Sequence, residues 1–373
     1  MKKRKILAVT STRADYGIQS NIYKKIEASD NLELLLIATG MHLSREFGHT
    51  IDEITADGIK VFEEIPIIGE TFEKARIPHE MARLTNRLSE ITAREKPDLM
   101  LLLGDRYEIL AAATSALVMN IPIAHISGGE VTEGAIDNQI RNAISQMAEL
   151  HFPGADEYAE NLIKMGIDSK KIFTVGDPAI ENIKNTDFLS VDKLQQEIGI
   201  KVDEKTLLVT FHPVTHELEN LEQQINNLIA ALRKHTGYKI ITYPNSDEGS
   251  EIIIDKLTAF ARQDYSVKLI KSLGKLRYYS AMKHCGAIVG NSSSAIIEAP
   301  FLKKPVVNVG NRQKGRLMSE CIINCDNDQS HIEAAIQKAL SNQFKSIVKN
   351  SRSLYGEGNT STEIVNIIEK RYR

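Results

Sequence analysis

Cysteine is scarce in this chain. Cys285, Cys321 and Cys325 cannot all pair with one another, and no CxxC or His/Cys cluster stands at zinc-ligand spacing. A disulfide framework and a zinc site of that kind are excluded, no other metal site is expected, and a reducing cytoplasm fits best. Long apolar runs are also missing, since no segment approaches the ~18 residues of a membrane-spanning helix. The basic start Lys2-Lys3-Arg4-Lys5 imitates a signal peptide, but the apolar run Ile6–Val9 stops at Thr10-Ser11-Thr12-Arg13. Excess charge of one sign is absent. With 46 basic against 49 acidic side chains the net charge is −3, which argues against a nonspecific nucleic-acid surface and leaves room for a local anion site. Neither GxGxxG nor GxxxxGK[ST] occurs, so neither a dinucleotide fingerprint nor a P-loop is present.

What is there is a chain of 373 residues, 42% hydrophobic and 25% charged, whose length predicts two domains with separate cores. Short Val/Ile/Leu-rich runs alternate with stretches of helical periodicity: Lys5–Val9, Leu32–Ala38, Leu99–Leu103 and Ile121–Ala124. This is the α/β pattern of βαβ units around a buried parallel sheet. It restarts after the polar, partly helical interval Ser190–Glu204 with Leu207–Thr210, Lys239–Thr242, Ala287–Gly290 and Val306–Val309. The expectation is two doubly wound domains, 1–178 and 192–355. A last helix over about 360–373, with Ile364, Val365, Ile367 and Ile368 on one side, is expected to pack back on the first.

Ligands of open parallel sheets gather at the carboxyl ends of strands, so the loops there hold the candidate residues. After the first strand, Thr12-Arg13-Ala14-Asp15 opens a helix, and Arg13 is either a phosphate ligand or a surface residue beside a capped helix start. Asp105, in Gly104-Asp105-Arg106-Tyr107-Glu108, is either a catalytic carboxylate or half of a capping pair with Glu108. His125-Ile126-Ser127-Gly128-Gly129-Glu130 carries adjacent glycines that let the backbone approach another group, and Glu130, Glu133 and Asp137 cluster acids that are costly to bring together. Asp137 opens a helix whose Ile136, Ile140, Ala143, Ile144 and Met147 are expected to face inward; it acts there or merely caps the helix and pairs with Arg141. In the second half, His212 follows a strand and Pro213 fixes the chain, so the imidazole is either aimed toward an interdomain cleft as a ligand contact or is a structural histidine. Gly290-Asn291-Ser292-Ser293-Ser294 exposes amides at a helix start with Glu298 about one and a half turns on, which reads either as an anion site with a ribose acceptor or as a serine-capped helix with a solvated glutamate.

Taken together, Thr12–Gly17, Thr39-Gly40-Met41-His42-Leu43, Gly104-Asp105-Arg106, His125–Glu130, Ile136–Arg141, Phe211–Thr215 and Gly290–Pro300 resemble the UDP-N-acetylglucosamine 2-epimerases, especially the hydrolysing branch that feeds sialic- and legionaminic-acid synthesis. The resemblance implies a glycosyltransferase-B architecture of two Rossmann-like domains and a homodimer or homotetramer. It implies a UDP-sugar substrate and no cofactor, with no nucleic-acid or membrane partner. By that resemblance Gly290, Asn291, Ser292, Ser293 and Glu298 hold diphosphate and ribose, Arg13 and His212 neutralise the departing UDP, and His125 joins the substrate-binding set. Asp105, Glu130 and Asp137 are the acid and base candidates, with His212 counted among the catalytic groups. The chain departs from the sialic-pathway pattern at Ser127 and Asn138, where acids are common. The implied reaction converts UDP-N-acetylglucosamine and water to UDP and N-acetylmannosamine, and the serine suits the alternative donor UDP-N,N′-diacetylbacillosamine. A nonhydrolysing epimerase, a glycosyltransferase of the same architecture and a noncatalytic nucleotide-sugar sensor are the rival readings.

Overall fold

Runs such as Leu99–Leu103, apolar at every position, have no face to give to water and form strands covered by helices on both sides. The computed structural model describes residues 3–45, 49–69, 75–131, 136–214, 217–244 and 248–372. The chain divides into two compact units, Met1–Asn182 with Tyr355–Arg373, and Ile183–Leu354.

The first unit is built on a parallel sheet of β1 (Arg4–Thr10), β2 (Leu32–Thr39), β3 (Val61–Ile65), β4 (Leu99–Leu103), β5 (Ile123–Ile126) and β6 (Leu150–Phe152), in spatial order β3-β2-β1-β4-β5-β6. Alternate residues of each strand serve opposite faces. On one face Ile6, Leu36 and Leu101 pack with Tyr23 and Ile26 of helix Arg13–Glu27 and with Ile364, Val365 and Ile368 of helix Thr360–Arg371. On the other, Leu7, Leu35 and Met100 pack with Leu84, Leu88 and Ile91 of helix Arg76–Glu95 and with Ala112 and Ala116 of helix Tyr107–Val118. The final helix is thus a core element of the first unit. Its first turn is tied down by Glu181, whose carboxylate accepts from Ser361 N at 2.7 Å and Ser361 Oγ at 2.5 Å, and by Thr360 Oγ1, which donates to Val175 O at 2.9 Å.

The second unit repeats the plan with β7 (Leu207–Thr210), β8 (Lys239–Thr242), β9 (Val267–Ile270), β10 (Ala287–Gly290), β11 (Val306–Val309) and β12 (Ile322–Cys325), all parallel, in order β12-β11-β10-β7-β8-β9. Its two faces are closed by Ile225, Leu228 and Ile336 on one side and by Leu194, Ile198 and Met282 on the other. In both units the strand order reverses at one place, between β1 and β4 and between β7 and β10. There the helices that follow neighbouring strands leave toward opposite faces and open a crevice at the strand ends.

Strands β3, β6, β9 and β12 do not stand out in the hydrophobic pattern; all four lie at sheet edges. The interval expected to link the domains holds helix Pro178–Lys184, and at its far end begins helix Val191–Ile198, capped by Ser190 and ended at Gly199. No helix among the described residues is long and apolar enough to cross a membrane. Ile368 is fully buried, and we expect Ile368→Ala to cost the first unit ~2–5 kcal/mol. Urea unfolding with a probe in each unit should show the first transition moving and the second unchanged; an unmoved first transition would contradict the packing.

Candidate active site

At the end of β4 the chain turns through Gly104 and Asp105 into helix Tyr107–Val118. The N-cap of that helix is Arg106, with no side-chain capping bond, so the capping alternative for Asp105 and Glu108 does not hold. Asp105 instead forms an ion pair with Arg141, whose side chain is only 3% exposed. The same guanidinium donates through Nη1 to the carbonyl oxygen of Glu130 at 2.9 Å. Arg141 therefore joins the loop after β4 to the loop after β5. Glu130 is itself buried, and Asp137 stands one turn before Arg141 in helix Ile136–Met147. Three sequence-predicted carboxylates thus belong to elements that share one cation. Glu133 lies outside the described residues.

The expected inward side of helix Ile136–Met147 holds at Ile140, Ile144 and Met147, which pack in the core, and fails at two positions. Ile136 and Ala143 are exposed, and the buried side runs through Ile140, Arg141, Ile144 and Ser145. The helix is turned so that two polar residues with specific partners face inward. Ser145 explains the second correction. His125, expected to touch substrate, is fully buried, with Nε2 2.8 Å from Gly104 O and Nδ1 3.1 Å from Ser145 Oγ. A carbonyl can only accept, so Nε2 carries the proton and Nδ1 accepts from the hydroxyl. Burial, with His151 and Arg141 nearby, lowers the imidazole pKa to about 3. His125 supports the Gly104 turn from below. The adjacent glycines likewise serve the protein itself. A Cβ on Gly128 would stand 2.9 Å from Ser145 Oγ and 3.0 Å from His125 Nδ1, and one on Gly129 would meet Tyr158 O at 2.2 Å.

A second charged cluster, not anticipated from sequence, sits beside the β1 end. Arg106 grips fully buried Glu108 with Nε and Nη2 at 3.1 and 2.9 Å. Ser11 Oγ donates to Asp15 at 2.8 Å, and Thr12 Oγ1 caps the helix by accepting from Asp15 N at 3.2 Å. Burial raises the Asp15 pKa, with the Arg106 charge opposing it. Arg13, by contrast, is half exposed and pairs with Glu53 at 3.0 Å, the surface alternative for that residue.

In the second unit His212 and Asn291 clamp each other. Asn291 Oδ1 accepts from His212 N at 2.7 Å and Asn291 Nδ2 donates to His212 O at 2.9 Å, tying the ends of β7 and β10 together. Gly290, at φ +134°, makes this possible, because a Cβ there would lie 1.9 Å from Thr210 O. Arg312 and Gln313 donate to Asn291 O at 3.1 and 2.8 Å. Burial and the Arg312 charge lower the His212 pKa to about 3. Ser292 stands at the N-cap of helix Ser293–Ile297 and makes no side-chain capping bond. That helix has only 5 residues, so few peptide dipoles align behind its amides. Glu298 ends it and is buried; it accepts from Tyr279 Oη at 2.7 Å and from Ser294 Oγ. Burial raises its pKa while those donors and Lys275 pull it down. Each carboxylate oxygen has two lone pairs, so further acceptor capacity exists.

Arg141, Arg106, Glu108, Arg312 and Tyr279 were missed as site residues. The available signal for the first was an arginine at the i+4 position from Asp137; for Arg106 and Glu108 it was their adjacency to Asp105.

The UDP-N-acetylglucosamine 2-epimerase family model matches residues 24–369. The chain is 38% identical over 347 residues to GDP/UDP-N,N′-diacetylbacillosamine 2-epimerase (hydrolyzing) of Campylobacter jejuni, with 92% of this chain and 90% of that protein covered. It is 34% identical over 366 residues to UDP-N,N′-diacetylbacillosamine 2-epimerase (hydrolyzing) of Legionella pneumophila, covering 98% and 96%. Polysialic acid biosynthesis protein P7 of Escherichia coli is 32% identical over 368 residues, covering 98% and 94%. Among solved structures, UDP-GlcNAc 2-epimerase from Neisseria meningitidis bound to UDP-GlcNAc matches at TM-score 0.84 and 18% identity over 98% of this chain and 100% of that one, a likeness of fold.

The His125 geometry makes a pH prediction. Its native pKa of about 3 lies below the ~6.5 of an unfolded histidine, so between those values the unfolded chain binds the extra proton and stability falls as pH drops. Comparing urea unfolding at pH 7.5 and 4.5, His125→Asn should remove about 2–3 kcal/mol of the wild-type acid loss. Identical losses in both proteins would show that His125 is not held neutral.

Proposed function

Because the chain belongs to the UDP-N-acetylglucosamine 2-epimerase family, in its hydrolysing branch, we propose that it cleaves a UDP-2-acetamido sugar with inversion at C2 and releases UDP and the free epimeric sugar. Of the two candidate donors, the relatives of Campylobacter jejuni and Legionella pneumophila favour UDP-N,N′-diacetylbacillosamine over UDP-N-acetylglucosamine, which reverses the order expected from sequence. Ser127, at the end of β5 where acids are common in the sialic-pathway pattern, supports the same choice.

The chemistry sets demanding conditions. The C2 proton of a 2-acetamido sugar has no carbonyl beside it to delocalise a carbanion, so direct abstraction is far too slow. If the C1–O bond breaks ahead, positive charge at C1 acidifies the C2 proton and a carboxylate in hydrogen-bond reach removes it. UDP leaves with the C1–O electron pair, and a 2-acetamidoglycal remains. Water then adds its hydroxyl at C1 and a proton at C2 from the opposite face.

The single observation that carries the assignment is the Asp105–Arg141–Glu130 connection at the ends of β4 and β5, in which one buried guanidinium pairs with the Asp105 carboxylate and holds the backbone of the loop that carries Glu130. Asp105, Glu130 and Asp137 are assigned the proton transfers at C2. In the second unit, Gly290, Asn291, Ser292, Ser293 and Glu298 are assigned to diphosphate and ribose. His212 and Arg312 are assigned to charge on the leaving diphosphate, a preorganised effect worth several kcal/mol. The exposed Arg13–Glu53 pair contributes little on its own, so Arg13 is free to exchange partners for a phosphate. His125 acts through the Gly104 turn. The same reading carries a homodimer or homotetramer, to be read by light scattering, and a reducing cytoplasm, which the unpaired Cys285, Cys321 and Cys325 support.

In D₂O without acceptor, UDP-N,N′-diacetylbacillosamine should yield UDP and the free C2 epimer with one solvent deuterium at C2, faster than UDP-N-acetylglucosamine. Release of an intact UDP-sugar epimer would point to the nonhydrolysing reaction, and turnover only with an acceptor to a glycosyltransferase. Binding with no turnover would leave a sensor. Asp105→Asn should reduce kcat by about 10²–10⁴-fold while UDP affinity by calorimetry changes little. Normal turnover in that variant would remove Asp105 from the chemistry.

A further inference from the structure

Arg141 is the least expected member of the first unit's cluster. A buried arginine on a helix is costly unless every face of its guanidinium is used, and here the fork spans two loops: one arm on the Asp105 carboxylate, the other 2.9 Å from the Glu130 carbonyl oxygen. It reaches both because helix Ile136–Met147 turns its Arg141–Ser145 side inward. Ser145 touches His125, which holds the carbonyl of Gly104, the residue before Asp105. Asp105 is thus fixed twice from one helix, at its carboxylate by Arg141 and at its backbone turn through Ser145 and His125.

We infer that Arg141 is a positioning residue for the C2 proton transfers: it sets the Asp105 carboxylate and the Glu130 backbone relative to each other, and a point charge at the same position cannot do this. The inference rests on the hydrolytic reading above. The planar fork matters because two acceptors on separate loops must be met at fixed directions, which lysine, with one ammonium on a flexible stem, does not provide. Positioning errors of an ångström at a proton-transfer group cost about 10²-fold in rate.

The test is a double-mutant cycle on the full-length chain, with kcat, KM and UDP affinity measured for wild type, Asp105→Asn, Arg141→Lys and the double variant. Arg141→Lys is expected to lower kcat by about 10²-fold while KM and UDP affinity stay within about threefold, and the double variant should be no slower than Asp105→Asn alone. Arg141→Lys at wild-type kcat, or a double variant whose losses multiply, would overturn the positioning role and leave the reaction assignment standing. If wild type releases no free sugar from either donor, the hydrolytic reading falls and takes this inference with it. Should Arg141→Lys fail to fold, as judged by thermal unfolding, Arg141→Gln repeats the cycle with a neutral donor, and the same non-additivity is required of it.

Discussion

Like charges at the ends of neighbouring parallel strands repel, and the first unit tolerates them only because guanidinium groups are built in beside them. Arg141 pairs with Asp105 and Arg106 with Glu108. Glu108 has no exposure to water at all, so without its forked partner it would be an isolated buried anion, a state that costs several kcal/mol. The first unit's geometry follows from meeting this condition. Helix Ile136–Met147 places Arg141 and Ser145 beside Ile140 and Ile144 on its buried side and leaves Ile136 in water. The Gly128–Gly129 pair brings the β5 loop down onto Ser145, His125 and Tyr158, which closes the cluster from beneath.

The second unit meets its demands mainly with neutral groups. Asn291 and the His212 backbone exchange two hydrogen bonds, and Glu298 is held by two hydroxyls. Arg312 places a permanent charge near an imidazole that burial already keeps neutral. A neutral His212 is a hydrogen-bond donor and acceptor, not a standing cation, so under the proposed reaction it would serve the diphosphate by hydrogen bonding and Arg312 would supply the permanent charge.

Much of the fold could be read from sequence because interior parallel strands are apolar throughout: Leu99–Leu103 and Ala287–Gly290 have the bounds expected of them. The edge strands could not. Val61–Ile65 carries Glu63 and Glu64, and Ile322–Cys325 contains no fully buried residue, because an edge strand keeps contact with solvent and loses the continuous apolar signature. The candidate site was legible where strand ends mark it: Asp105, Glu130, His212 and Asn291 lie past the ends of β4, β5, β7 and β10, as expected. Arg141 was not, since periodicity counts an arginine as polar and turns it outward. The role of His125 depends on partners 20 and 21 residues away in the chain, which no local pattern reveals.

The last helix has a consequence for the order in which the molecule can be completed. The second unit is a continuous stretch, Ile183–Leu354, inserted into a first unit that is finished only by Tyr355–Arg373. During synthesis from the amino end, the inserted body therefore has all its residues before the earlier one does. Until Ile364, Val365 and Ile368 emerge, the side of helix Arg13–Glu27 that they cover stays bare. The nascent chain carries a sticky, half-closed sheet through translation of the whole insert, and this is the interval in which a chaperone has most to protect.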